Sequence, residues 1–229
     1  MAPFARVLLV FLPLAAATFA AFWLGVVPRT LSPLSPLSLE KRDQWFIDLK
    51  LAGLRLDPVL CQSVLKQPYV GATPVQDTPP TNGCGWINSV RFSEIGGANM
   101  SVQPLTCEMT AALTLWVTHE VQAAAKAIFG SPVARIDHMG TYRCRNIEGK
   151  HRRSEHASAN AIDISGFTLK DGRKISVLHH WQDNGPEAKF LRRAQVAACR
   201  YFRATLGPNY NTAHADHFHF DRGVFWACK

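Results

Sequence analysis

Two stretches of the sequence concentrate the residue types that bind metal ions in proteins. Residues 154–163 (SEHASANAID) contain one histidine and one aspartate, His156 and Asp163. Residues 214–221 (HADHFHFD) contain three histidines and two aspartates. Imidazole nitrogens and carboxylate oxygens are zinc ligands, and a catalytic zinc site combines three protein ligands with a water molecule. Because zinc lowers the pKa of that water to about 7, such a site can supply hydroxide for a hydrolytic reaction.

The second stretch is predicted to be a strand with one polar face and one apolar face. Side chains alternate along a strand, so His217 and His219 point one way while Phe218 and Phe220 point the other. Asp163 behaves similarly, because an isoleucine flanks it on each side. Two strands would thus each present ligands on a polar face that is backed by apolar residues. The spacing alone does not decide between a metal site and a solvated strand face.

The surrounding sequence predicts helices and short strands that would position these residues. Residues 107–129 form one apolar helical face, with Thr106 as the N-cap and Gly130 at the end, and a second helix is expected over 186–206. Residues 67–106 are rich in Pro, Gly and Asn, so only short extended pieces are expected there. Further extended segments are expected at 133–136, 141–144, 161–168 and 173–177, with an Asp-Gly hairpin turn at 171–172. The predicted fold is therefore α+β, a small antiparallel sheet with packed helices.

The amino-terminal region is predicted to be a membrane anchor followed by a linker. Residues 7–27 contain no charged side chain, and these 21 residues match the roughly 20 that a helix needs to cross a bilayer. The apolar run continues beyond a candidate signal-peptide cleavage site at 16–21, which favours an uncleaved transmembrane helix. A short tail at 1–6 precedes this helix, and a Pro/Ser-rich linker at 28–38 follows it. The expected localisation is the inner membrane, crossed once, with the main domain, residues 39–229, in the periplasm.

Cysteine usage and charge bear on the compartment and on the partners. All six cysteines follow the apolar run, and none forms the CxxC pair that thiolate zinc clusters use. We therefore expect three disulfides, as is typical of exported proteins, while the connectivity stays open. The net charge is +8, but the Lys and Arg residues are scattered without interleaved aromatics, which argues against specific nucleic-acid binding. The oligomeric state is left open.

Four separated phrases resemble a known bacterial family. They are GTYRCR at 140–145, SEHASANAIDISGF at 154–167, ACRYFRATLGPNYN at 198–211 and HADHFHFD at 214–221. In this order they are similar to the extensin-like carboxy-terminal domain family. SEHASANAID also resembles the SxHxxGxAxD motif, and DHFH the later ligand motif, of zinc peptidases in the lysostaphin, D-alanyl-D-alanine metallopeptidase and hedgehog group. The resemblance implies a zinc site like that of the hedgehog and D-alanyl-D-alanine peptidase proteins.

The resemblance to these zinc peptidases implies a role for several residues of the two stretches. The implied zinc ligands are His156, Asp163 and His219. His217 would stabilise the developing oxyanion, and Asp216 matches the position of the general base. Aspartate is one methylene shorter than the glutamate of the peptidases, so the reach of Asp216 to the attacking water is open. Asp221 is therefore the alternative base, or else a hydrogen-bond partner that supports an imidazole.

The resemblance also implies residues that bind the terminal carboxylate of the substrate. Ser154, which precedes His156 by two positions, matches a serine of the carboxypeptidase relatives. Arg143 fits the carboxylate-binding arginine of those relatives by spacing, whereas Arg145 fits the extensin-like phrase, so both stay open. Ala159 departs from the broader motif, which has glycine at this position.

These features together predict a membrane-anchored, exported zinc hydrolase. It would cleave an amide bond in peptidoglycan stem peptides or their cross-links, as a carboxypeptidase or an endopeptidase. One alternative is a non-catalytic cell-wall binding module that keeps zinc for structure. Another is a disulfide-stabilised interaction domain without a metal.

Overall fold

The computed structural model describes residues 3–66 and 68–229, which contain seven α-helices and eleven strands. The helices are α1 Pro3–Trp23, α2 Ile47–Leu56, α3 Pro58–Leu65, α4 Cys107–Trp116, α5 Gln122–Phe129, α6 Val177–His180 and α7 Pro186–Ala198. The strands are β1 Thr73–Val75, β2 Thr78–Thr81, β3 Cys84–Trp86, β4 Ser89–Ile95, β5 Ala98–Thr106, β6 Val133–Gly140, β7 Ala161–Leu169, β8 Lys174–Ser176, β9 Ala204–Leu206, β10 Phe218–Asp221 and β11 Ala227–Cys228. A π-helical turn, Val117–Val121, joins α4 to α5, and 3₁₀ turns lie at Glu155–Ser158 and Thr212–His214.

Nine of the strands form one large sheet. Their order is β1-β4-β5-β6-β7-β10-β9-β11, with β8 paired to β7, and a separate hairpin consists of β2 and β3. Most neighbours are antiparallel, but β5 runs parallel to β6 and β11 runs parallel to β9. The α+β prediction is confirmed, whereas the prediction of a small antiparallel sheet is wrong. The difference arises largely because residues 67–106, despite their Pro and Gly content, supply three strands of the large sheet.

Helices α4 and α7 meet on one face of the sheet around a buried tryptophan. Trp116 at the end of α4 has no exposed surface, and its indole N–H donates a hydrogen bond to the carbonyl of Ala194 (2.8 Å). Its ring lies 5.1 Å from that of Phe220 on β10 and 6.4 Å from that of Phe202, in edge-to-face geometry. Phe218 is also fully buried. The phenylalanines of β10 therefore anchor this strand to the helical layer.

The two predicted helices differ in how well their bounds agree with the structure. The first begins after Thr106, whose hydroxyl accepts from the N–H of Met109 (3.4 Å), and ends at Gly130 with φ of 67°. It is confirmed, with a π-helical turn in its middle. The second ends at Ala198 instead of residue 206. Residues 204–206 pair with β10 as β9, so sheet formation replaces the last predicted turns of the helix.

The amino-terminal helix does not agree with the predicted anchor. Among the residues described, no helix is both long enough and apolar enough to cross a membrane. Helix α1 ends at Trp23 and the chain turns at Gly25 (φ 72°), so the last four residues of the uncharged run, 24–27, lie outside the helix. The prediction of a transmembrane helix at 7–27 is therefore wrong, and so is the predicted single-pass inner-membrane localisation.

Three disulfides confirm the interpretation of the six cysteines. They join Cys61 to Cys107, Cys84 to Cys144 and Cys199 to Cys228. The second ties strand β3 to the segment that precedes the 3₁₀ turn at Glu155–Ser158, and the third ties the end of α7 to β11. Covalent links therefore restrain the chain close to both of the stretches that carry the candidate ligands.

Candidate metal centre

Two neighbouring strands bring the predicted aspartate and histidine together. β7 and β10 are antiparallel, and their register places His219 directly opposite Asp163. Directly opposed residues share one face of a sheet, so both side chains lie on the same side. Ile162 pairs with Phe220 on the other side, where both are buried in the core. The alternation predicted from the sequence is therefore confirmed for both strands.

A 3₁₀ turn delivers the second histidine. Glu155–Ser158 forms this turn, and the hydroxyl of Ser154 accepts a hydrogen bond from the backbone N–H of His156 (3.3 Å) as its cap. The Nδ1–H of His156 donates to the backbone carbonyl of Thr141 (2.9 Å). This bond fixes the tautomer, so the lone pair of Nε2 points at the two strands.

The three predicted ligands form one compact cluster. Nε2 of His156 lies 3.2 Å from Nδ1 of His219, and that Nδ1 lies 2.9 Å from Oδ1 of Asp163. One ligand atom from each residue can be chosen so that all three lie within 4.8 Å of one another. The side chains are largely buried, with 4%, 15% and 11% of their surfaces exposed for His156, Asp163 and His219. The cluster thus has a small opening to solvent.

A carboxylate supports the histidine on β10 from behind. The Nε2–H of His219 donates to Oδ2 of Asp221 (3.1 Å), and Oδ1 of Asp221 accepts from the backbone N–H of Gly223 (2.8 Å). Because the proton of His219 is held on Nε2, its Nδ1 lone pair faces His156 and Asp163. Both oxygens of Asp221 are engaged, which fits the supporting role better than that of a base.

The electrostatics of the cluster favour a cation at its centre. Burial alone would raise the pKa of Asp163, but hydrogen bonds and charges from His156 and His219 outweigh it and hold the pKa far below its ordinary value. Burial alone would lower the pKa of His219, yet hydrogen bonds to Asp163 and Asp221 outweigh it and raise the pKa. Two lone pairs and a carboxylate that converge at these distances repel one another unless a proton or a metal ion lies between them. The imidazole and carboxylate donors fit zinc, which takes nitrogen and oxygen ligands at about 2.0–2.2 Å.

A second acid–histidine pair lies at the edge of the cluster. Nδ1 of His217 is 2.7 Å from Oδ1 of Asp216, and Nε2 of His217 is 3.7 Å from Oδ1 of Asp163. The imidazole is largely buried, whereas 44% of the Asp216 side chain is exposed. Asp216 therefore contacts the open side of His217, and His217 is the member of the pair that faces the cluster.

Comparison with known proteins places these residues within one family. The family model described as "Extensin-like protein C-terminus" matches residues 59–229, which is most of the chain. The chain belongs to this family. The matched region of the extensin-like domain includes every candidate ligand and both members of the Asp216–His217 pair. No curated protein and no solved structure matches the chain, so these comparisons link it to no zinc peptidase.

The predicted substrate-binding residues of the extensin-like domain differ in their burial and in their contacts. Ser154 is buried (6% exposed), and its hydroxyl caps the turn that carries His156. Arg143 and Arg145 are both exposed. The guanidinium of Arg145 donates to the backbone carbonyl of Asn146 (3.3 Å), and neither arginine contacts the cluster among the described residues. The structure thus assigns Ser154 a structural contact and leaves both arginines available at the surface.

His214 also lies beside the site. Its ring centroid lies 5.2 Å from that of His217 and 5.5 Å from that of Tyr210, and its Nδ1 is 2.6 Å from Oδ1 of Asn211. Burial, followed by the charges of His219 and His217, lowers the pKa of His214 to about 4. It is therefore a neutral imidazole beside the catalytic candidates. The three-residue spacing of His214 from His217 is the signal that could have indicated this contact.

A buried ion network fixes the end of β10 and was not predicted. Arg222 is 1% exposed, and its guanidinium contacts Oε1 of Glu108 on α4 (2.6 Å) and Oδ1 of Asp48 on α2 (2.7 Å). Arg55 binds the other oxygen of Glu108 (2.6 Å). Removing one partner of such a network leaves a buried charge without compensation. The network holds the residue that follows Asp221 and so restrains the support of His219.

Proposed function

We propose that this chain is a zinc-dependent hydrolase that cleaves an amide bond in peptidoglycan peptides. The observation that carries the proposal is the convergence of three donors, His156, Asp163 and His219, with both imidazoles held from behind by hydrogen bonds. Zinc held there would lower the pKa of a bound water and supply hydroxide near neutral pH. The motif resemblance of residues 154–163 and 216–219 to zinc peptidases supports the same assignment.

His217 is positioned to move a proton in this reaction. Its Nδ1–H donates to Asp216, which leaves Nε2 directed at the cluster, near Asp163. In the neutral form Nε2 accepts a proton from the attacking water, and in the cationic form it donates to the oxyanion or to the leaving amine. Asp216 orients the ring and stabilises the cation. We therefore assign proton transfer to His217 and positioning to Asp216, which differs from the roles that the motif alone implied.

An exposed arginine supports the choice of substrate class. Arg145 has no carboxylate partner among the described residues, so its guanidinium is available to bind a carboxylate of the substrate. Guanidinium and carboxylate groups form paired, charge-assisted hydrogen bonds. Peptidoglycan stem peptides carry free carboxylates beside their amide bonds, which supports them as the substrate. The three disulfides are typical of proteins that work under oxidising conditions, such as those at the cell wall.

A second candidate function is a cell-wall binding module that holds zinc without catalysis. The observation that favours it is the carboxylate of Asp216, which is engaged by His217 at 2.7 Å instead of facing the cluster. In this case the chain would retain the peptide-binding surface and the metal without cleaving a bond.

Incubation of the zinc-loaded full chain with defined muropeptides tests the proposal. We expect the mass of the products to show loss of an amide bond, and we expect His217→Gln to slow cleavage by about 100-fold or more while keeping its zinc. His179→Gln, which changes an exposed histidine on α6, is the matched control and should cleave like the parent. Binding of muropeptides without any cleavage by the zinc-loaded parent would favour the binding module instead.

A further inference from the structure

The sheet carries a polar groove on strands β1, β4 and β5. The groove measures about 540 Å³ and is lined by side chains from three adjacent strands. The polar members are Thr73 of β1, Arg91 and Ser93 of β4, and Ser101 and Gln103 of β5. Gly71 and the edges of two buried residues complete the lining.

The groove lies on the same face of the sheet as the metal cluster. On β5 the exposed Ser101 and Gln103 alternate with the buried Met100 and Val102, which belong to the core on the helical side. On β7, Asp163 alternates in the same way with buried isoleucines of that core. Since the strands belong to one continuous sheet, both polar sets occupy the face opposite the helices.

The end of the groove at Gln103 is level with the cluster. Asp163 is paired with Gly140 on β6, and the next residue, Thr141, donates its hydroxyl to the carbonyl of Pro104 on β5 (2.7 Å). The carbonyl of the same Thr141 accepts from His156. Strands lie about 4.8 Å apart, so Gln103, two strands from Asp163, is roughly 10 Å away, and Arg91 on the third strand is roughly 15 Å away.

The polar groups of the groove are free to bind a ligand. Among the residues that the structure describes, no hydrogen-bond or ion-pair partner is found for the side chains of Arg91, Ser93 and Gln103. By contrast, Arg135 on the same face pairs with Asp137 (3.0 Å). An unpaired guanidinium is suited to a carboxylate, and hydroxyl and amide groups are suited to a peptide backbone.

We propose that this groove binds an extended peptide, with Arg91 holding a carboxylate about four residues from the scissile amide bond. The spacing follows from the separation of roughly 15 Å between Arg91 and Asp163 and a rise of about 3.4 Å per extended residue. The inference rests on the proposed function, which supplies the scissile bond at the metal centre. It specifies the substrate as a peptide that continues well beyond that bond and carries an acidic group.

Calorimetric titration with two matched ligands tests this inference. The ligands are a synthetic stem pentapeptide with free carboxylates and the same peptide with all its carboxylates amidated. The titrations use the zinc-loaded full chain in the His217→Gln background, so that the ligand is not consumed. Arg91→Ala should weaken binding of the free peptide about tenfold, and Arg91→Lys should weaken it less, because lysine keeps the charge but not the two-pronged geometry.

The amidated peptide and a control variant separate a specific contact from a general effect of charge. Arg91→Ala should not change the affinity for the amidated peptide, and Arg193→Ala, which removes an exposed arginine on α7, should change neither affinity. The inference is overturned if the parent binds neither peptide or if Arg91→Ala binds the free peptide like the parent. It is also overturned if Arg91→Ala loses affinity equally for the free and the amidated peptide. A different outcome would separate the two proposals. If Arg91→Ala binds the free peptide about tenfold more weakly but the unsubstituted chain cleaves no muropeptide, the proposed hydrolase is rejected and the peptide-binding groove is retained.

Discussion

Replacing Asp221 with asparagine should weaken zinc binding through the tautomer of His219. Oδ1 of Asp221 accepts from the N–H of Gly223 (2.8 Å), so the carboxamide oxygen of asparagine keeps this position. The amide NH₂ then faces Nε2 of His219, where the carboxylate oxygen had accepted a hydrogen bond from the Nε2–H (3.1 Å). A donor at this point requires Nε2 to be the acceptor, which transfers the imidazole proton to Nδ1. Nδ1 is the atom that faces His156 and Asp163, so the ligand lone pair is lost.

The size of the effect follows from the cost of restoring the Nδ1 lone pair of His219 in the variant. To bind zinc, His219 must return its proton to Nε2, which places this N–H against the amide NH₂ of the introduced asparagine and breaks the hydrogen bond behind the ring. Loss of such supporting contacts costs about 10- to 100-fold in metal affinity. This corresponds to about 1.4–2.8 kcal/mol in binding free energy. Because the side chain of Asp221 is only 13% exposed, water cannot readily replace the carboxylate.

Competition with a chromophoric chelator measures this affinity in the parent and in the variant. Asp216→Asn is the matched control, because it makes the same change of charge to a carboxylate that contacts His217 instead of a ligand. We expect it to keep zinc affinity within about threefold while slowing hydrolysis. Equal zinc affinity for Asp221→Asn and the parent would refute the assignment of Nδ1 as the ligand atom. An equal loss in both variants would show that the effect is one of net charge.

Two further predictions concern stability. Ala159 has φ of 52°, in the left-handed region that costs a non-glycine residue about 1 kcal/mol, whereas Ala157 lies in the 3₁₀ turn. In denaturant titrations Ala159→Gly should therefore destabilise the protein by about 1 kcal/mol less than Ala157→Gly, and equal losses would contradict the strain. Burial alone would raise the pKa of Glu120, but hydrogen bonds from Arg42 and Tyr201 outweigh it and lower the pKa. The stability that it contributes is thus present above the pKa of the unfolded chain, about 4, and is lost as the pH falls. When the free energy of unfolding is measured at pH 6 and at pH 3, it should fall less for Glu120→Gln than for the parent. An equal fall in both proteins would exclude Glu120 as a source of the acid sensitivity.

The sequence predicted which faces carry the site, because strand alternation is a local property. His219 was separated from Phe218 and Phe220 by period alone, and the burial of both phenylalanines together with the pairing of His219 and Asp163 confirms it. The opposition of His219 and Asp163 depends on which strands pair, and these residues are 56 positions apart. No local pattern contains that information. Motif resemblance could therefore suggest the cluster, whereas the spacing of its residues along the chain could not.

The orientation of Asp216 depended on where the last strand of the site begins. β10 starts at Phe218, so Asp216 and His217 lie just before it and are not bound by its alternation. Asp216 could consequently turn to His217, a contact between adjacent residues that periodicity does not predict. The contact of His214 with His217 was not predicted for a related reason, because His214 lies in a 3₁₀ turn outside the strand.

The larger errors concern the sheet and the amino terminus. Strands β4 and β5 alternate only in part, with register shifts between them, and β5 pairs in parallel with a strand that follows two helices. A single amino-acid sequence contains no local pattern that indicates which distant strands pair. Residues 7–27 contain no charged side chain, but composition does not determine where a helix ends, and α1 ends at Trp23.

The central claim is that His156, Asp163 and His219 bind one metal ion. X-ray absorption spectroscopy of the zinc-loaded full chain, combined with elemental analysis, tests it most directly. We predict one zinc per chain, nitrogen and oxygen neighbours at about 2.0–2.2 Å, and no sulfur at about 2.3 Å. Replacement of His219 by alanine should abolish this stoichiometric binding. Sulfur ligation, or one zinc per chain that persists in the alanine variant, would contradict the account.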